Sequence, residues 1–361
     1  MSISPSDRGL SPKPRTDRFG GGVAVGEAVG GSPTVAVLVA AYNATGTLPA
    51  CLDSLCGQTL HDIEILCVDD CSTDETLSLL RDRSALDARI HVLQTPVNSG
   101  QAVARNLALQ QVKAPYVCMV DADDWLSADA LEAAVQVMQQ HPRTDCCVFH
   151  LRRHFDADGR EEDYGLPQEL EAGGMLTGEQ AFELCLDGWQ LHGLYLTRTS
   201  LHRQFPFDTA TRLYSDDNSS RLHYLYSKEV RACAGIYYYR QHQLSMTQNF
   251  NLRRFDFMEA NLSLLLTLKR EGVAVRLLRR YEVHRWMTFI ACYRLYLRHE
   301  AEIPETDRVL LHSRFHTILH TFRPSRLRWS ARWKPGYWLL YSDRLFDWQQ
   351  RAYCRFKGSS S

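Results

Sequence analysis

Three carboxylates that follow one apolar run are the residues best suited to chemistry. Residues 116–120 are mostly apolar, and Asp121, Asp123 and Asp124 come directly after them. The run predicts a buried strand, and Asp121 and Asp123 are spaced i, i+2, so along a strand their side chains leave the same face. Two such carboxylates suit a hard divalent cation that also holds a phosphate-bearing substrate. The alternative, above all for Asp124, is an acidic turn that caps a helix expected to start at Ser127.

Alternating strands and helices must position these carboxylates. Continuous apolar stretches at residues 35–41 and 63–68 predict two more buried strands, and residues 90–93 predict a shorter third. A Ser-Thr-Asp-Glu capping box at residues 72–75 predicts that a helix begins there. The repetition of strand and helix predicts an α/β fold with a Rossmann-like, mainly parallel sheet flanked by helices.

Polar side chains stand at the expected carboxyl ends of these strands, where open α/β sheets bind their ligands. Asn43 follows the first strand, Asp69 and Asp70 end the second, and Asp121 and Asp123 follow the fourth. We therefore expect these groups to meet at one rim of the sheet. The sequence has no G-x-G-x-x-G after the first strand and no G-x-x-x-x-G-K-[ST], which argues against dinucleotide and P-loop chemistry.

Composition limits the classes of protein to which the chain can belong. Its 361 residues carry a net charge of −1 and 45% apolar residues, which allows a sizeable core and gives no case for a nucleic-acid partner. The eleven cysteines form no C-x-x-C pair, so we expect free thiols and a reducing, cytoplasmic location. Residues 1–33 are rich in Pro, Gly and Ser and predict a disordered leader.

Seven short motifs resemble those of the inverting family-2 glycosyltransferases in order and spacing. They are Val-Leu-Val-Ala-Ala-Tyr-Asn, Cys-Leu-Asp-Ser-Leu, Gln-Thr-Leu, Val-Asp-Asp-Cys-Ser-Thr-Asp, Asn-Ser-Gly, Ala-Arg-Asn and Asp-Ala-Asp-Asp, all within residues 34–130. The resemblance implies the GT-A fold of nucleotide-diphospho-sugar transferases over residues 34–248. Cys71 departs from the family pattern, which usually has Gly at that position.

By this resemblance, the loops after the first two strands hold the nucleotide, and the D-x-D residues hold Mg²⁺ or Mn²⁺ against the donor diphosphate. The metal ligands would be Asp121, Asp123 and His242. Arg105 either holds sugar or phosphate oxygens or pairs with an aspartate and stabilises the rim of the sheet. The residues assigned to the nucleotide-sugar are Ala41, Tyr42, Asn43, Asp69, Asp70, Asn98, Gly100, Arg105, Asp121, Ala122, Asp123, Arg240 and Ser245.

A second acidic pair, in the Tyr-Ser-Asp-Asp segment of residues 214–217, resembles the family's paired acids, of which the second is the catalytic base. An acceptor hydroxyl needs a carboxylate within hydrogen-bond reach, so Asp217 is expected to be that base. The alternative is an N-cap cluster for the helix that contains Leu222. Asp216 and Trp189 are expected on the acceptor side, where Trp189 would stack on a sugar ring or, alternatively, belong to the core.

The segment at residues 239–247, Tyr-Arg-Gln-His-Gln-Leu-Ser-Met-Thr, resembles a family loop that folds over the donor diphosphate. In this loop Arg240 offers a planar fork for phosphate oxygens, and Ser245 offers a hydroxyl. His242 would reach the phosphate or the metal, or would have a purely structural role.

The C-terminal residues 249–361 show helical periodicity and predict a helical extension. Within it, residues 323–357 contain nine Lys or Arg, two Asp and four of the seven Trp of the chain. Basic and aromatic residues mixed on helices suit an anionic membrane surface, here the inner face of the cell membrane. The alternative is a solvated helix whose Trp side packs on the catalytic domain.

These features together predict an inverting glycosyltransferase. It would move a sugar from a nucleotide-diphospho-sugar, with uracil as the expected base, to a hydroxyl of a glycan or lipid-linked acceptor. A sugar-1-phosphate nucleotidyltransferase is one alternative, although it would be expected to carry a Gly-rich, basic loop after the first strand. A catalytically inactive, membrane-associated scaffold that binds sugar nucleotides is another.

Overall fold

The computed structural model describes residues 32–186, 188–241, 250–323, 327 and 336–358. Nearly all of the expected leader, the predicted ligands His242 and Ser245, and much of the basic tail lie outside the described residues. All eleven cysteines are free thiols and eight of them are buried, which agrees with their expected role as small apolar side chains.

The first half of the sheet is parallel and has the spatial order β3-β2-β1-β4. Its two central strands are apolar on both faces because helices cover the sheet on both sides. The four strands are β1 (Val35–Ala41), β2 (Ile63–Asp69), β3 (Ile90–Gln94) and β4 (Tyr116–Met119). The helices that connect and follow them are α1 (Leu48–Cys56), α2 (Thr76–Leu86), α3 (Gln101–Gln111) and α4 (Ala130–Gln140).

The second half of the sheet is mixed. Its strands are β5 (Trp125–Leu126), β6 (Thr144–Phe155), β7 (Glu161–Asp163), β8 (Tyr195–Arg198) and β9 (Glu229–Gln241). β8 lies antiparallel between β4 and β6, whereas β6 and β9 run parallel, and the short β5 pairs antiparallel with β9. The predicted α/β fold is confirmed, but the sheet is not parallel throughout, because β8 runs antiparallel to both of its neighbours and β5 and β7 also pair antiparallel.

Two predicted helix starts lie a few residues too early. α2 begins at Thr76 rather than at the capping box, because the Ser72 hydroxyl accepts a hydrogen bond from the Asn43 N–H (3.0 Å). α4 begins three residues after Ser127, whose hydroxyl accepts the Ile236 N–H (3.0 Å). In both cases a contact between distant segments uses the side chain that was expected to cap the helix.

The C-terminal extension is helical, as predicted. Its aromatic core joins Trp286 and Phe289 to Phe315, Phe322 and Phe346. None of the described helices has both the length and the apolar character that crossing a bilayer requires. The helices from residue 168 onward are α5 (Gln168–Glu171), α6 (Gly178–Leu186), α7 (Thr199–Gln204), α8 (Ser215–Tyr226), α9 (Asp256–Arg270), α10 (Val275–His299), α11 (Glu305–Leu319) and α12 (Asp343–Gly358).

The extension also contacts the elements that carry the candidate site. The side-chain amide of Asn218 in α8 donates a hydrogen bond to the Ala260 carbonyl of α9 (2.8 Å). Tyr281 of α10 belongs to the same apolar cluster as Phe182 of α6. The domain boundary that we predict between residues 248 and 249 stays a prediction.

Candidate active site

The loops after β1 and β2 are tied together at the rim of the sheet. Ala41 and Asp69 are partners in the register of the two strands. Asn43 has a left-handed backbone (φ 49°), and its side-chain oxygen accepts the Thr73 N–H (2.8 Å). Tyr42 remains about half exposed, at 49%. In the first loop, the side chain of Asn43 therefore connects the two loops, and the ring of Tyr42 is accessible to a ligand.

Asp69 has a buried carboxylate oxygen without a partner. Its Oδ2 accepts hydrogen bonds from the Ser72 N–H and the Gln94 side-chain amide, both at 3.2 Å. Its Oδ1 is buried and has no hydrogen-bond partner among the described residues. A buried acceptor in this state is energetically costly, so Asp69 Oδ1 is suited to accept an N–H group from a ligand.

Asp70 holds the loop that precedes α3. Its Oδ1 accepts hydrogen bonds from the Thr95 hydroxyl (2.7 Å) and the Ser99 N–H (2.9 Å), and its Oδ2 accepts the Gly100 N–H (2.7 Å). These three contacts position the start of α3, where Gly100 adopts φ 90°. Asp70 was predicted to touch the nucleotide, and the structure shows it in contact with this loop.

A residue that the sequence did not single out, Arg212, crosses the same loop. Its guanidinium donates hydrogen bonds to the side-chain oxygen of Asn98 (3.3 Å) and to the Asn98 carbonyl (3.2 Å). Its Cγ lies 3.7 Å from the position that a Cβ would take at Gly100. The basic side chain of Arg212, from the segment before α8, thus lies next to the predicted donor residues Asn98 and Gly100.

The three acidic residues after β4 form a turn. β4 ends at Met119, and the Asp124 N–H donates to the Asp121 carbonyl (3.0 Å) across the turn. The expected same-face arrangement of a continuing strand is therefore wrong. The turn nevertheless brings Asp121, Asp123 and Asp124 together, with one carboxylate oxygen from each within 4.8 Å of the others. Ala122, assigned to the donor, lies in the middle of the turn.

Asp124 is the most buried member of the acidic turn. Its Oδ2 accepts the Tyr237 hydroxyl (2.8 Å), and its Oδ1 accepts the Arg240 N–H (2.9 Å). Tyr237 also accepts the Asp121 N–H (3.1 Å). Burial raises the pKa of Asp124, and the charges of Asp121 and Asp123 raise it further. The alternative of a solvated helix cap is wrong for Asp124.

This acidic turn fits a hard divalent cation. Carboxylate oxygens are the ligands that Mg²⁺ and Mn²⁺ prefer. The pKa of Asp124 is raised by burial and then by the charges of Asp121 and Asp123, and a cation would relieve the repulsion among the three groups. The other predicted ligand, His242, lies outside the described residues. At this rim of the sheet, Asp121, Asp123 and Asp124 could therefore hold the ion.

Arg105 connects the acidic turn to the start of α8. Its guanidinium is buried and pairs with Asp121, which is the contact that the rim-stabilising alternative expects. Its Nε and Nη1 have no hydrogen-bond partner within the described part of the chain. Although burial opposes its charge, the electrostatic attraction of Asp121 and then of Asp216 contributes to a raised pKa of Arg105. The guanidinium also lies 5.3 Å from the centre of the Phe207 ring.

Arg240 contacts protein groups beside the acidic turn. Its Nε donates to the Asp123 carbonyl (2.8 Å), and its Nη1 lies 3.3 Å from Asp156. The guanidinium stacks over the Trp125 ring, 4.9 Å from its centre. Arg240 was predicted to bind phosphate, and the structure places it next to the backbone of the predicted metal ligand Asp123.

Asp217 lies in the first turn of α8 and does not cap the helix. The N-terminal cap is Tyr214, with φ 66°, and no side chain makes a capping hydrogen bond there. Burial raises the pKa of Asp217 to about 7, an effect that nearby Arg221 opposes and Asp216 reinforces. A carboxylate with that pKa is half deprotonated near neutral pH, which suits a general base.

Trp189 and Arg221 stack beside Asp217. The Arg221 guanidinium lies 4.5 Å from the centre of the Trp189 ring and 3.8 Å from Asp217. Trp189 is half-buried and its backbone is left-handed, with φ 56°. Arg221 is fully buried, and its Nε and Nη1 have no hydrogen-bond partner among the residues described. Sequence reasoning missed Arg221, although its i+4 spacing from Asp217 was a signal.

Known proteins are similar to this chain in sequence and in fold. Residues 36–193 match the family model described as glycosyl transferase family 2. The chain is 28% identical to EpsJ of Bacillus subtilis strain 168, an uncharacterized glycosyltransferase, across 60% of this chain and 63% of EpsJ. It is 39% identical to TuaG of the same strain, a candidate teichuronic acid biosynthesis glycosyltransferase, across 32% of this chain and 45% of TuaG. The alignments thus span less than two thirds of each relative.

The structural comparison extends over most of the chain. The crystal structure of S. aureus TarS residues 1–349 superposes with a TM-score of 0.67 and 19% identity, across 89% of this chain and 91% of that chain. The same TarS fragment in complex with UDP-GlcNAc gives a TM-score of 0.66 at 18% identity, across 89% and 92%. The fold is therefore the GT-A fold of nucleotide-diphospho-sugar transferases. Residues 36–193 of the chain form a domain that matches glycosyl transferase family 2.

The left-handed backbone at Cys71 generates a stability prediction. Cys71 has φ 59°, a conformation that costs a residue with a Cβ about 1 kcal/mol relative to glycine. We expect Cys71→Gly to raise the free energy of unfolding by about 1 kcal/mol in urea denaturation. Cys71→Ala is the matched control, because it removes the thiol and keeps the Cβ, and it should show no comparable gain. A glycine variant no more stable than the alanine variant would contradict this account.

Proposed function

We propose that this protein is an inverting glycosyltransferase that transfers a sugar from a UDP-linked donor to a hydroxyl group with the help of a divalent metal ion. The observation that carries the proposal is the position of buried Arg105 between two acidic groups. It pairs with Asp121 of the acidic turn and interacts electrostatically with Asp216, the residue before the candidate base. A metal-binding turn and a general base are the two parts that such a reaction requires.

The nucleotide would bind at the loops after β1 and β2. The unpartnered Oδ1 of Asp69 suits an N–H group of a pyrimidine ring, and the half-exposed Tyr42 offers a ring for stacking. The TarS structures in complex with UDP and with UDP-GlcNAc support a uracil nucleotide for this fold. Asn98 and Gly100, whose loop Asp70 fixes, would complete the proposed donor site together with Ser245.

The reaction would be a single displacement. Asp217 takes the proton of the acceptor hydroxyl. At the same time the hydroxyl oxygen forms a bond to the anomeric carbon, and the bond from that carbon to the diphosphate breaks. The configuration at the anomeric carbon therefore inverts. A Mg²⁺ or Mn²⁺ ion held by Asp121 and Asp123 would neutralise charge on the diphosphate, with His242 as a further proposed ligand. Arg240 would add a second positive charge beside it.

The acceptor would be a glycan or a lipid-linked sugar of the bacterial cell surface. The name of TuaG, which points to teichuronic acid biosynthesis, supports this class. Asp216 and Trp189 border the base, and the Trp189 ring would stack on a sugar of the acceptor. Arg221 beneath the ring would keep it in place.

A cell-surface acceptor would be met at a membrane, and α12 provides a surface for attachment. Its exposed apolar side chains share one helical face and are Leu345, Trp348 and Phe356. Exposed Arg344 and Arg355 flank them. An apolar stripe with arginines beside it is complementary to an anionic lipid surface. Trp348 is 67% exposed, so the alternative in which the Trp side packs on the catalytic domain does not hold for this residue.

The first experiment is the release of nucleoside diphosphate from a panel of nucleotide sugars, with Mn²⁺ or Mg²⁺ and with chelator. We expect release from one UDP-sugar, lost with chelator and in Asp123→Asn, because the diphosphate then leaves without a neutralising cation. Asp62→Asn, which removes an exposed carboxylate outside the site, is the control and should keep full activity. Pyrophosphate release would indicate the nucleotidyltransferase, and donor binding without any release would indicate the inactive scaffold.

Replacement of Asp217 tests the general base. We expect Asp217→Asn to reduce kcat by about 10²–10⁴-fold with donor affinity nearly unchanged. For the wild type, kcat/KM should rise about tenfold between pH 6 and pH 8, because the pKa of Asp217 is raised to about 7 and its deprotonated fraction grows over that interval.

The Asp217→Asn variant should also differ from the wild type in how its folding stability depends on pH. Between the ordinary Asp pKa of 3.8 and the raised value of about 7, the folded state binds a proton that the unfolded state does not, so stability falls as pH rises. Asp217→Asn should lack this loss and be at least as stable as the wild type at pH 8. Normal turnover in the variant would rule out Asp217 as the base.

Vesicle binding tests the α12 surface. Co-sedimentation with phosphatidylserine-containing vesicles should weaken by about tenfold or more in the double variant Leu345→Ser, Trp348→Ser, since the inserted apolar area is lost. The matched control is Leu266→Ser, Leu310→Ser, which removes exposed leucines of α9 and α11. Equal binding by both variants would exclude this helix as the attachment site.

A further inference from the structure

A second group of potential metal ligands lies outside the candidate active site. His316, His320 and Asp343 each offer one ligand atom, and the three atoms lie within 4.8 Å of one another. The His316 Nδ1 and an Asp343 carboxylate oxygen are 2.7 Å apart, and the centres of the two imidazole rings are separated by 4.4 Å. All three side chains are exposed, so an ion from solution can reach them.

The three residues are held by two separate elements that the aromatic core fixes. His316 and His320 are spaced i, i+4 at the carboxyl end of α11, where Ile318 and Leu319 are buried. Asp343 is the first residue of α12, and Phe346 anchors that end of the helix in the same core. The cluster is therefore preorganised by packing on both sides, and its three members all lie among the described residues.

His320 has an additional support that sets its ring orientation. The Tyr341 ring stacks on the imidazole, with centres 5.7 Å apart and planes inclined by 24°. The Tyr341 hydroxyl donates in turn to the Phe322 carbonyl (2.9 Å). An oriented imidazole loses less freedom when it binds an ion, and this contributes to affinity.

The donor set indicates the kind of ion. Two imidazoles and one carboxylate suit a borderline ion such as Zn²⁺, whereas Mg²⁺ prefers an all-oxygen site like the acidic turn. Tetrahedral zinc places neighbouring ligand atoms about 3.4 Å apart. The His316–Asp343 pair at 2.7 Å must open slightly, which both side chains can do because each is more than half exposed, at 56% and 55%.

Charge also favours a cation at this position. The carboxyl end of α11 carries the partial negative charge of the helix dipole, and His320 lies directly after the helix. Asp343 offsets the opposite partial charge at the start of α12. An ion at this position would replace the contact between the His316 Nδ1 and the Asp343 carboxylate.

We propose that His316, His320 and Asp343 form a second metal site, for Zn²⁺ or a similar borderline divalent ion, that fastens the start of α12 to the end of α11. The ion would take three protein ligands and complete its shell with water. The bound ion would hold α12 in a fixed orientation relative to α11. This assignment does not rest on the proposed transfer reaction.

The test is metal binding by the full-length, untagged protein after chelator treatment and in excess Mg²⁺, which would compete for the acidic turn. We expect one equivalent of Zn²⁺ to bind with micromolar or tighter affinity, to raise Tm, and to be absent from the double variant His316→Ala, His320→Ala. Co²⁺ should give absorption bands of nitrogen and oxygen ligation without a thiolate charge-transfer band. The matched control is His61→Ala, His91→Ala, two exposed histidines elsewhere in the chain.

Two results would overturn the proposal. One is Zn²⁺ binding of equal stoichiometry and affinity in the wild type and the His316→Ala, His320→Ala variant. The other is no binding by the wild type at micromolar Zn²⁺. Asp343→Asn keeps the side-chain shape and should weaken binding at least tenfold while circular dichroism stays unchanged, so a loss of folding cannot be mistaken for a loss of a ligand.

Discussion

The buried charge of Arg105 is the interaction on which the rest of the site depends. A guanidinium that has lost its water must be paired, and here Asp121 supplies the nearest negative charge. The same side chain lies against Phe207, whose backbone exchanges two hydrogen bonds with the side chain of Asn106 on α3. The helix after β3 therefore sets the separation between the acidic turn and the start of α8, and both halves of the sheet contribute to one site.

The sequence predicted the parallel half of the fold well because that half is encoded locally. β1 and β2 are continuous apolar runs, and strands of this kind have their carboxyl ends at one rim, so Asp69 and Asp121 were placed correctly at strand ends. The strand pairing of the mixed half was not predicted. β6 pairs with β9 across about eighty-five intervening positions, and a pattern that is read within a short window carries no information about such a partner.

The site was predictable to the extent that its chemistry resides in short motifs. Asp124 was undervalued because its two partners, Tyr237 and Arg240, are more than a hundred residues away. Asp70 has three loop contacts that depend on the conformation of residues 95–100, which spacing alone does not reveal. The assigned roles of the individual residues remain predictions, and the geometry shows which contacts each would have to make or break.

The double contact of the Tyr237 hydroxyl has a consequence for sequence divergence. One phenol oxygen donates to Asp124 and accepts from the backbone at Asp121, so it connects β9 to the acidic turn through a single atom. Replacement of Tyr237 or Asp124 alone leaves a buried polar group without a hydrogen-bond partner, which costs more free energy than the hydrogen bond itself contributes. Positions 124 and 237 are therefore constrained to change together. A descendant that loses the carboxylate at position 124 would need other contacts between the acidic turn and β9.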